Sequence, residues 1–289
     1  MYAKLPFSSK LIHIFPIIPV YIIIFEVTFT IWKYIIFSNS TSFQHKLISL
    51  LLFVPSSTMV IITHIKSMFT SPGYVPIPYT PPKQMTIEQN PKRPEIFCNK
   101  CNNPRPPRSH HCKICDKCTL RMDHHCKWIA NCVGYKNQKF FYQFLFYASF
   151  GNTIAFIILF FRLCNIDYHI ETYIPKGIKI TNVFQLIIYM WEPIQLFIGC
   201  ICAFAMVIGI GKIFHKQTIM LLNNQTTIDA KMFPKWEESP YYNNDKKRNF
   251  NYIMGNSIIE WFTLSFKEEA YENIISSQGS NYINLNELV

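Results

Sequence analysis

The sequence predicts an α-helical polytopic membrane protein, with four transmembrane helices and a small Cys-rich domain between the second and third helices. Three observations support this prediction. Hydrophobic residues make up 49% of the 289 residues and charged residues only 16%. The apolar residues are grouped in four long blocks, and most of the ten cysteines fall within 98–132. A composition of this kind is typical of membrane proteins.

The four apolar blocks are each long enough to cross a bilayer. The hydrocarbon core is about 30 Å thick, so a spanning helix needs about 20 predominantly apolar residues. The candidate spans cover 14–36, 47–69, 140–161 and 193–214. The first block is too long for a signal peptide and no small-residue cleavage site follows it, so we expect it to be retained. It contains Glu26, whose carboxylate is either functional or structural, and we assign it no role.

Positive charge is concentrated in particular segments between and after the spans. The formal net charge is +11. Segment 70–139 carries twelve Lys and Arg residues and the chain after Ile213 carries seven, whereas the loop 37–46 has one. Because cytosolic loops are enriched in Lys and Arg, both termini and segment 70–139 are predicted to be cytosolic. Anionic lipid headgroups are then the expected partner of these charges, and nucleic acid is not.

Four segments follow from these boundaries. Residues 1–69 hold the N-terminal segment and helices one and two, 70–139 the cytosolic Cys-rich domain, 140–214 helices three and four with a lumenal loop, and 215–289 a cytosolic tail. The stretch 71–94 is rich in Pro and polar residues, which predicts an extended connector. Within 97–132 the apolar residues are too few for a core, so a bound metal is expected to hold the domain together. In the tail, residues 253–266 are apolar enough to dock on protein or on the bilayer.

The Cys and His residues of the Cys-rich domain have the spacing of zinc ligands. Three other cysteines lie in or beside the spans, where they are expected to be small apolar residues. A disulfide framework is disfavoured, because the number of cysteines in the domain is odd and the cytosol is reducing. Three C-x2-C pairs favour zinc, whose structural sites take four tetrahedral Cys or His ligands. The candidate ligands are Cys98, Cys101, His110, His111, Cys112, Cys115, Cys118, His124, His125, Cys126 and Cys132.

Counting ligands leaves three groups unused, because the domain offers eleven and two closed zinc sites consume eight. Side chains alternate along an extended strand, so if His125 points to a metal, His124 and Cys126 share the opposite face. A thiol beside an imidazole is an acyl-transfer nucleophile with its base. Asp123 adjoins His124 and is a candidate to orient the imidazole, although alternation alone does not bring it to that face. The alternative is that all four residues are zinc ligands or loop.

The complete pattern C-x2-C-x9-H-C-x2-C-x2-C-x4-D-H-H-C-x5-C resembles the DHHC protein S-acyltransferases, or palmitoyltransferases. The four-span layout also resembles that family, as do residues 107–110, Trp128, residues 131–134, Asn137 and Phe140. The resemblance implies a cytosolic double-zinc domain of β-hairpins and leaves His110, His124 and Cys126 free of metal. The implied ligands of its two structural Zn²⁺ ions are Cys98, Cys101, His111 and Cys118 for one site, and Cys112, Cys115, His125 and Cys132 for the other.

The resemblance also implies a two-step reaction with acyl-CoA, in particular palmitoyl-CoA, as co-substrate. Cys126 takes the acyl group as a thioester and passes it to cytosolic cysteines of membrane-associated proteins. His124 acts as the base and Asp123 orients it. The implied location is a Golgi or ER membrane, with the lipid bilayer as a partner. The residues expected to contact CoA are Arg105, Arg108, His110 and Trp128.

The chain departs from the family pattern at four positions. Lys127 follows the proposed nucleophile where the family usually has Pro, and its cation is expected to lower the pKa of the thiol or to help hold CoA. Ser71 replaces Asp in the Asp-Pro-Gly after the second span, and Ile259 replaces Asn in the tail motif. Asp229 stands for Glu after the fourth span, one methylene shorter, which puts that residue's contact in question.

Three other functions compete with acyl transfer. A membrane adaptor with a partner-binding zinc domain would have no need of both His124 and Cys126. A RING-type ubiquitin ligase also interleaves two zinc sites, but the tight C-x2-C-x2-C run fits its cross-brace poorly. A nucleic-acid-binding protein would need its basic residues away from a membrane, and four spans argue against that.

Overall fold

The computed structural model describes residues 15–38, 41–79, 97–164 and 182–265. The first 14 residues, most of the expected connector, the expected lumenal loop at 165–181 and the tail from 266 lie outside the described residues. Helix α1 covers Ile17–Ile31 and continues as a π-helical turn at Trp32–Ile36. Helix α2 covers Phe43–Ile48 and Val54–Phe69, with a π-helical turn at Ser49–Phe53 between them. Helices α3 and α4 cover Gln138–Cys164 and Val183–Leu222.

These four helices confirm the four predicted spans. Their parts that are long and apolar enough to cross a membrane are Ile17–Ile36, Phe43–Phe69, Gln138–Cys164 and Pro193–Leu222. The fourth helix is longer than expected, because it continues through Pro193 at one end and past residue 214 at the other. At 1.5 Å per residue its 40 residues span roughly 60 Å, about twice a hydrocarbon core. Its last turns therefore extend beyond the predicted apolar run and carry polar side chains.

The described residues divide into two compact units. One of them contains 17–62 and 144–215 and is built from the apolar parts of the four helices. Its core is a continuous cluster of aliphatic and aromatic side chains that includes Ile31, Ile35, Phe53, Leu159 and Leu196. Large apolar side chains also face outward, as expected where the surrounding solvent is lipid: Phe25 is 67% exposed, Leu51 63% and Phe197 57%.

The second unit contains 63–143 and 216–265, and its Cys-rich part consists of three antiparallel hairpins. Strand β1 (Phe97–Cys98) pairs with β2 (Asn103–Pro104), β3 (His110–Cys112) with β4 (Lys117–Thr119), and β5 (His124–Cys126) with β6 (Asn131–Val133). The register places His111 opposite Cys118 and His125 opposite Cys132. The hairpins therefore bring candidate ligands together in pairs, as the implied domain of β-hairpins requires.

Side-chain amides fasten the third hairpin to the end of helix α2. The last carbonyls of a helix have no partner within the helix. Asn131 Nδ2 donates to the carbonyls of Ser67, Met68 and Thr70 at 3.2, 3.1 and 2.9 Å. Asn137 Nδ2 adds a bond to the Ser67 carbonyl at 3.3 Å. Two asparagines from the Cys-rich part thus satisfy the helix end, and this fixes the position of strand β6.

Gly134 ends the same hairpin, at a point where the backbone passes close to the chain that follows α2. A Cβ at this position would lie 2.6 Å from the Pro72 carbonyl oxygen and 2.5 Å from the Thr119 methyl. Both distances are shorter than van der Waals contact, and one neighbour is backbone that cannot turn away. Glycine is therefore required by close packing at the position where the family pattern has it.

As far as residue 265, three short α-helices follow α4 in the second unit: α5 (Thr227–Met232), α6 (Lys246–Met254) and α7 (Ile258–Phe262). The segment around α7 is held through its backbone. Lys139 Nζ donates to the carbonyls of Glu260 and Ser265, Gln143 Nε2 to those of Trp261 and Thr263, and Lys66 Nζ to that of Leu264. Ile259, where the family pattern has Asn, is 76% exposed and takes no part in this attachment.

Candidate active site and metal centres

The first Cys/His cluster joins the first two hairpins. One ligand atom from each of Cys98, Cys101, His111 and Cys118 lies within 4.8 Å of the others. His111 Nδ1 is 3.7 Å from Cys98 Sγ and 3.3 Å from Cys101 Sγ, and the sulfurs of Cys101 and Cys118 are 3.8 Å apart. The other ring nitrogen of His111 faces Asp116 Oδ1 at 3.5 Å, which is the kind of partner that orients a metal-binding imidazole.

The second cluster joins the second and third hairpins. It brings together Cys112, Cys115, His125 and Cys132, again within 4.8 Å. His125 Nδ1 lies 3.6 Å from Cys112 Sγ, 3.5 Å from Cys115 Sγ and 3.6 Å from Cys132 Sγ, and the sulfurs of Cys115 and Cys132 are 3.6 Å apart. The two clusters have the same composition, three thiols and one Nδ1 nitrogen.

These spacings fit a tetrahedral zinc ion. Zn–S bonds of about 2.3 Å and Zn–N bonds of about 2.0 Å give tetrahedron edges of about 3.8 Å between sulfurs and about 3.6 Å between sulfur and nitrogen. The seven pairs of ligand atoms given above lie 3.3–3.8 Å apart. The backbone at the pairs Cys98/Cys101 and Cys112/Cys115 also suits a metal site. The residue after the second cysteine of each pair has positive φ, 46° at Asn102 and 53° at Asp116. This turn points the amide of the second cysteine at the sulfur of the first, at 3.4 Å in both clusters.

His110, His124 and Cys126 belong to neither cluster. Strand β5 carries His124, His125 and Cys126 in succession, and alternation along it separates the cluster ligand from its two neighbours. Cys126 is 5% exposed. The His124 ring packs edge-on against Phe141, with centroids 5.5 Å apart. Two of the three groups left over by counting ligands, a buried thiol and an imidazole, thus lie on one strand.

Asp123, which precedes strand β5, turns its carboxylate back toward His124. Its Oδ2 lies 2.6 Å from His124 Nδ1. The carboxylate is 1% exposed and accepts three further hydrogen bonds: from the Thr227 amide at 2.6 Å, the Thr227 hydroxyl at 3.0 Å and Gln217 Nε2 at 3.0 Å. Donors from α4 and α5 therefore orient the Asp123 carboxylate, which strand alternation alone does not place near His124.

These contacts determine how the imidazole holds a proton. Burial lowers the pKa of His124, but hydrogen bonds to Asp123 and Cys126 and their negative charge outweigh burial and raise it to about 10. Burial alone would raise the pKa of Asp123, whereas its bonds to His124, Thr227 and Gln217 bring it below the ordinary value. With Nδ1 engaged by the carboxylate, Nε2 is the ring nitrogen left for Cys126. The three residues form a carboxylate–imidazole–thiol series.

The turn after Cys126 leaves two side chains at the surface. Residues Lys127–Ile129 form one turn of 3-10 helix, which ends at Ala130 with φ of 45°. Lys127 is exposed and Trp128 is 51% exposed. His64 at the end of α2 is fully buried, and its Nε2 lies 3.0 Å from the Trp128 carbonyl oxygen. The turn next to the thiol is thereby attached to a helix.

Arg108 and Asp229 form a buried ion pair between the hairpin domain and α5. Asp229 Oδ2 is 2.5 Å from one guanidinium nitrogen of Arg108 and 3.1 Å from Nε, and the side chains are 1% and 2% exposed. Arg108 also donates to the side chain and carbonyl of Asn224 and stacks on Tyr241 at 4.6 Å. Asp229, one methylene shorter than the Glu of the family pattern, therefore still reaches Arg108. Asp229 additionally closes a capping box with Thr226 at the start of α5.

Arg105 and His110, two of the other expected CoA contacts, lie near Arg108. Arg105 is half-buried and donates to the Ser109 carbonyl. Burial lowers the pKa of His110 to about 4, and the positive charge of Arg105 acts in the same direction. His110 is therefore neutral at physiological pH. The structure gathers Arg105, Arg108 and His110 around one strand, and it places Trp128 on the separate turn after Cys126.

Three residues of this site were not singled out in the sequence. Gln217 and His64 are single polar residues near the ends of apolar helices, and their contacts depend on residues more than sixty positions away. Asn131 was noted only as part of the family pattern, and its role at the end of α2 is visible only in the fold. For His64 a signal existed, because a lone histidine in an otherwise apolar span indicates a specific partner.

The known proteins to which this chain is similar are protein S-acyltransferases and palmitoyltransferases. The model of the DHHC palmitoyltransferase family matches residues 92–232. Probable protein S-acyltransferase 12 of Arabidopsis thaliana is 28% identical over 273 residues, which cover 89% of this chain and 87% of that protein. Palmitoyltransferase ZDHHC7 of Mus musculus is 36% identical over 120 residues, 41% of this chain and 39% of its own. Residues 92–232 of this chain thus form a DHHC palmitoyltransferase domain.

Proposed function

We propose that this protein is a protein S-acyltransferase that moves a palmitoyl or similar long-chain acyl group from acyl-CoA, through a thioester on Cys126, to cysteines of membrane-associated proteins. The observation that carries the proposal is the series Asp123–His124–Cys126, in which the carboxylate lies 2.6 Å from the imidazole. Its thiol belongs to neither metal cluster, although seven cysteines share the domain. An unligated thiol hydrogen-bonded to an imidazole is the arrangement that acyl transfer needs.

The side chains define both steps. In the first, the Cys126 proton passes to His124, the sulfur attacks the thioester carbonyl, and the C–S bond to CoA breaks as CoA leaves as a thiol with that proton. In the second, a substrate cysteine gives its proton to His124 and attacks the acyl-Cys126 carbonyl, and Cys126 leaves as the thiol. Within each step, the raised pKa of His124 suits it to hold the proton taken from the attacking thiol until the leaving thiol takes it up. Asp123 stabilises the charged ring and keeps its Nε2 toward the sulfur.

The two Cys/His clusters are proposed to hold structural zinc, one ion each. Zinc supplies folding energy here, because the hairpins have only two or three residues per strand. The second cluster takes His125 from strand β5, so its ion would hold the strand that carries His124 and Cys126, whereas the first cluster joins the first two hairpins. The chemical steps remain with the protein side chains.

Acyl-CoA is proposed to lie with its phosphates near Arg105, Arg108 and His110 and its thioester near Trp128. A guanidinium group suits phosphate in charge and geometry, and Arg105 lies beside this strand. Arg108 is already paired with the negative charge of Asp229, so its contribution is largely to the shape of the site. Lys127, exposed beside the nucleophile, is a further cation at this surface.

The acyl chain and the substrate are proposed to be held at a membrane. Each methylene buried in lipid gains about 0.8 kcal/mol, so a palmitoyl chain partitions strongly into the bilayer while its thioester stays at the surface. The distribution of Lys and Arg supports cytosolic termini and a cytosolic Cys-rich domain, with the boundaries 1–69, 70–139, 140–214 and 215–289. Golgi or ER membranes are the proposed location.

Labelling with an alkyne-tagged palmitoyl-CoA tests the proposal. The purified full-length chain is expected to take up label that neutral hydroxylamine releases, and Cys126→Ala is expected to abolish it with metal content unchanged. Cys202→Ala is the matched control, because Cys202 is also a thiol outside both clusters. Label that survives Cys126→Ala refutes the nucleophile assignment. A folded, zinc-replete wild type that takes up no label refutes acyl transfer and favours a membrane adaptor.

A further inference from the structure

Gln217 is a buried carboxamide in the last turns of helix α4. It is 6% exposed, and its Nε2 lies 3.0 Å from Asp123 Oδ2. Removing an amide from water costs free energy unless the group is hydrogen-bonded, so the bond to Asp123 gives this polar residue a reason to be where it is. An ionised carboxylate only accepts hydrogen bonds, and the amide must therefore present its NH2 group to Asp123.

The donors around Asp123 act on its two oxygens unequally. Oδ1 accepts from the Thr227 amide, whereas Oδ2 accepts from His124 Nδ1, Gln217 Nε2 and the Thr227 hydroxyl. The torsion that rotates a carboxylate is broad, so the group has little orientation of its own. The donors on α4 and α5 set which oxygen faces His124 and in which plane. Gln217 is the one that reaches Oδ2 from α4.

We infer that Gln217 is a positioning residue for acyl transfer: its Nε2–H fixes Asp123 Oδ2 against His124 Nδ1, so that the imidazole presents Nε2 to Cys126. This inference rests on the proposed function of the Asp123–His124–Cys126 series. Gln217 donates to the Asp123 carboxylate and acts on the imidazole through it. A purely structural role, in which the bond only fastens α4 to the hairpins, is the competing explanation.

A double-mutant cycle distinguishes the positioning role of Gln217 from a purely structural one. Gln217→Met keeps an unbranched side chain of similar length and removes the donor. Loss of one hydrogen bond to a charged group is expected to slow single-turnover thioester formation at saturating acyl-CoA by about tenfold, with little change in the apparent affinity for acyl-CoA. In an Asp123→Ala background the same substitution is expected to change the residual rate by less than twofold, because the group through which Gln217 acts is gone.

Gln217→Glu is the second variant, because it keeps the length and polarity of the side chain but places a second carboxylate against that of Asp123. It is expected to slow thioester formation at least as much as Gln217→Met does. Metal content and thermal midpoint are measured for every variant. Wild-type rates in both Gln217 variants, or an equal fold loss with and without Asp123, overturn the inference while Cys126 labelling in the wild type upholds the proposed function. Absence of labelling in a folded wild type overturns both.

Discussion

The ion pair between Arg108 and Asp229 allows a quantitative test of how the chain after the fourth span supports the site. Both side chains are almost fully buried, and Asp229 Oδ2 serves two purposes, pairing with Arg108 at 2.5 Å and capping α5 through the Thr226 amide at 2.8 Å. Three substitutions separate these purposes. Asp229→Asn removes the charge and keeps an acceptor, Asp229→Ala removes both, and Asp229→Glu restores the residue of the family pattern.

The magnitudes follow from the geometry. At 2.5 Å and an effective dielectric of about 20, the Coulomb attraction is about 7 kcal/mol, most of which is offset by desolvation. Leaving one buried partner alone costs about 3–5 kcal/mol. Arg108 keeps its bonds to Asn224 and its stacking on Tyr241, which points to the lower end. We expect Asp229→Asn to lower the free energy of unfolding by about 3 kcal/mol. Asp229→Ala also loses the cap of α5 and should lower it by about 1 kcal/mol more. Asp229→Glu should lie within about 1 kcal/mol of wild type, because Glu is the usual partner in a capping box.

Thermal unfolding is the assay, followed by exposure of the cluster thiols to a maleimide dye. A polytopic chain does not unfold in two states, so the order of the variants is more informative than any absolute value. The expected order of midpoints is wild type and Asp229→Glu together, then Asp229→Asn, then Asp229→Ala lower by about 10 °C. An Asp229→Ala midpoint equal to that of wild type would refute the reasoning. If Asp229→Asn matched wild type while Asp229→Ala did not, the cap and not the ion pair would be the source of stability.

Two further predictions concern the donors and the metal ligands. Thr227→Val removes one hydroxyl donor to Asp123 and is expected to slow thioester formation about fivefold, whereas Thr227→Ser keeps the donor and the rate; equal rates in single-turnover labelling would contradict this role. His125→Ala is expected to lower metal content from two ions per chain toward one and to expose the thiols of the second cluster to dye, whereas His110→Ala keeps both ions. Unchanged metal content in His125→Ala, measured by mass spectrometry, would exclude the second cluster as a zinc site.

The partition of the cysteines and histidines was largely accessible from the sequence. Spacing and ligand counting indicated two sites and three unused groups, and the resemblance to the family implied which residues form each set. The structure gathers those same two sets. This part was accessible because C-x2-C pairs and strand alternation are local, and local spacing places side chains within reach of one ion without knowledge of the rest of the chain.

The orientation of Asp123 was not accessible in this way. Alternation along strand β5 governs His124, His125 and Cys126, but Asp123 precedes the strand and its donors lie on α4 and α5. The sequence alone does not show how segments this far apart in the chain lie against each other. The engagement of Arg108 with Asp229 had the same origin, since a contact across 121 positions depends on tertiary packing. Helix α4 extends beyond the predicted span 193–214, because hydropathy locates the apolar run and not the ends of the helix.

The distribution of these contacts suggests an order in which the site is completed. The hairpins hold the metal ligands, His124 and Cys126 within 97–133, and the two clusters depend on residues of that segment alone. The donors to the Asp123 carboxylate other than His124, and the acidic partner of Arg108, come from residues 217–229, at and after the end of helix α4. Metal binding can therefore shape the strand that carries the thiol before the rest of the chain is in place. Gln217 and Thr227 reach the carboxylate only when α4 and α5 lie against the hairpins, so we expect acyl transfer to depend on residues 217–229 even though none of them belongs to the Asp123–His124–Cys126 series.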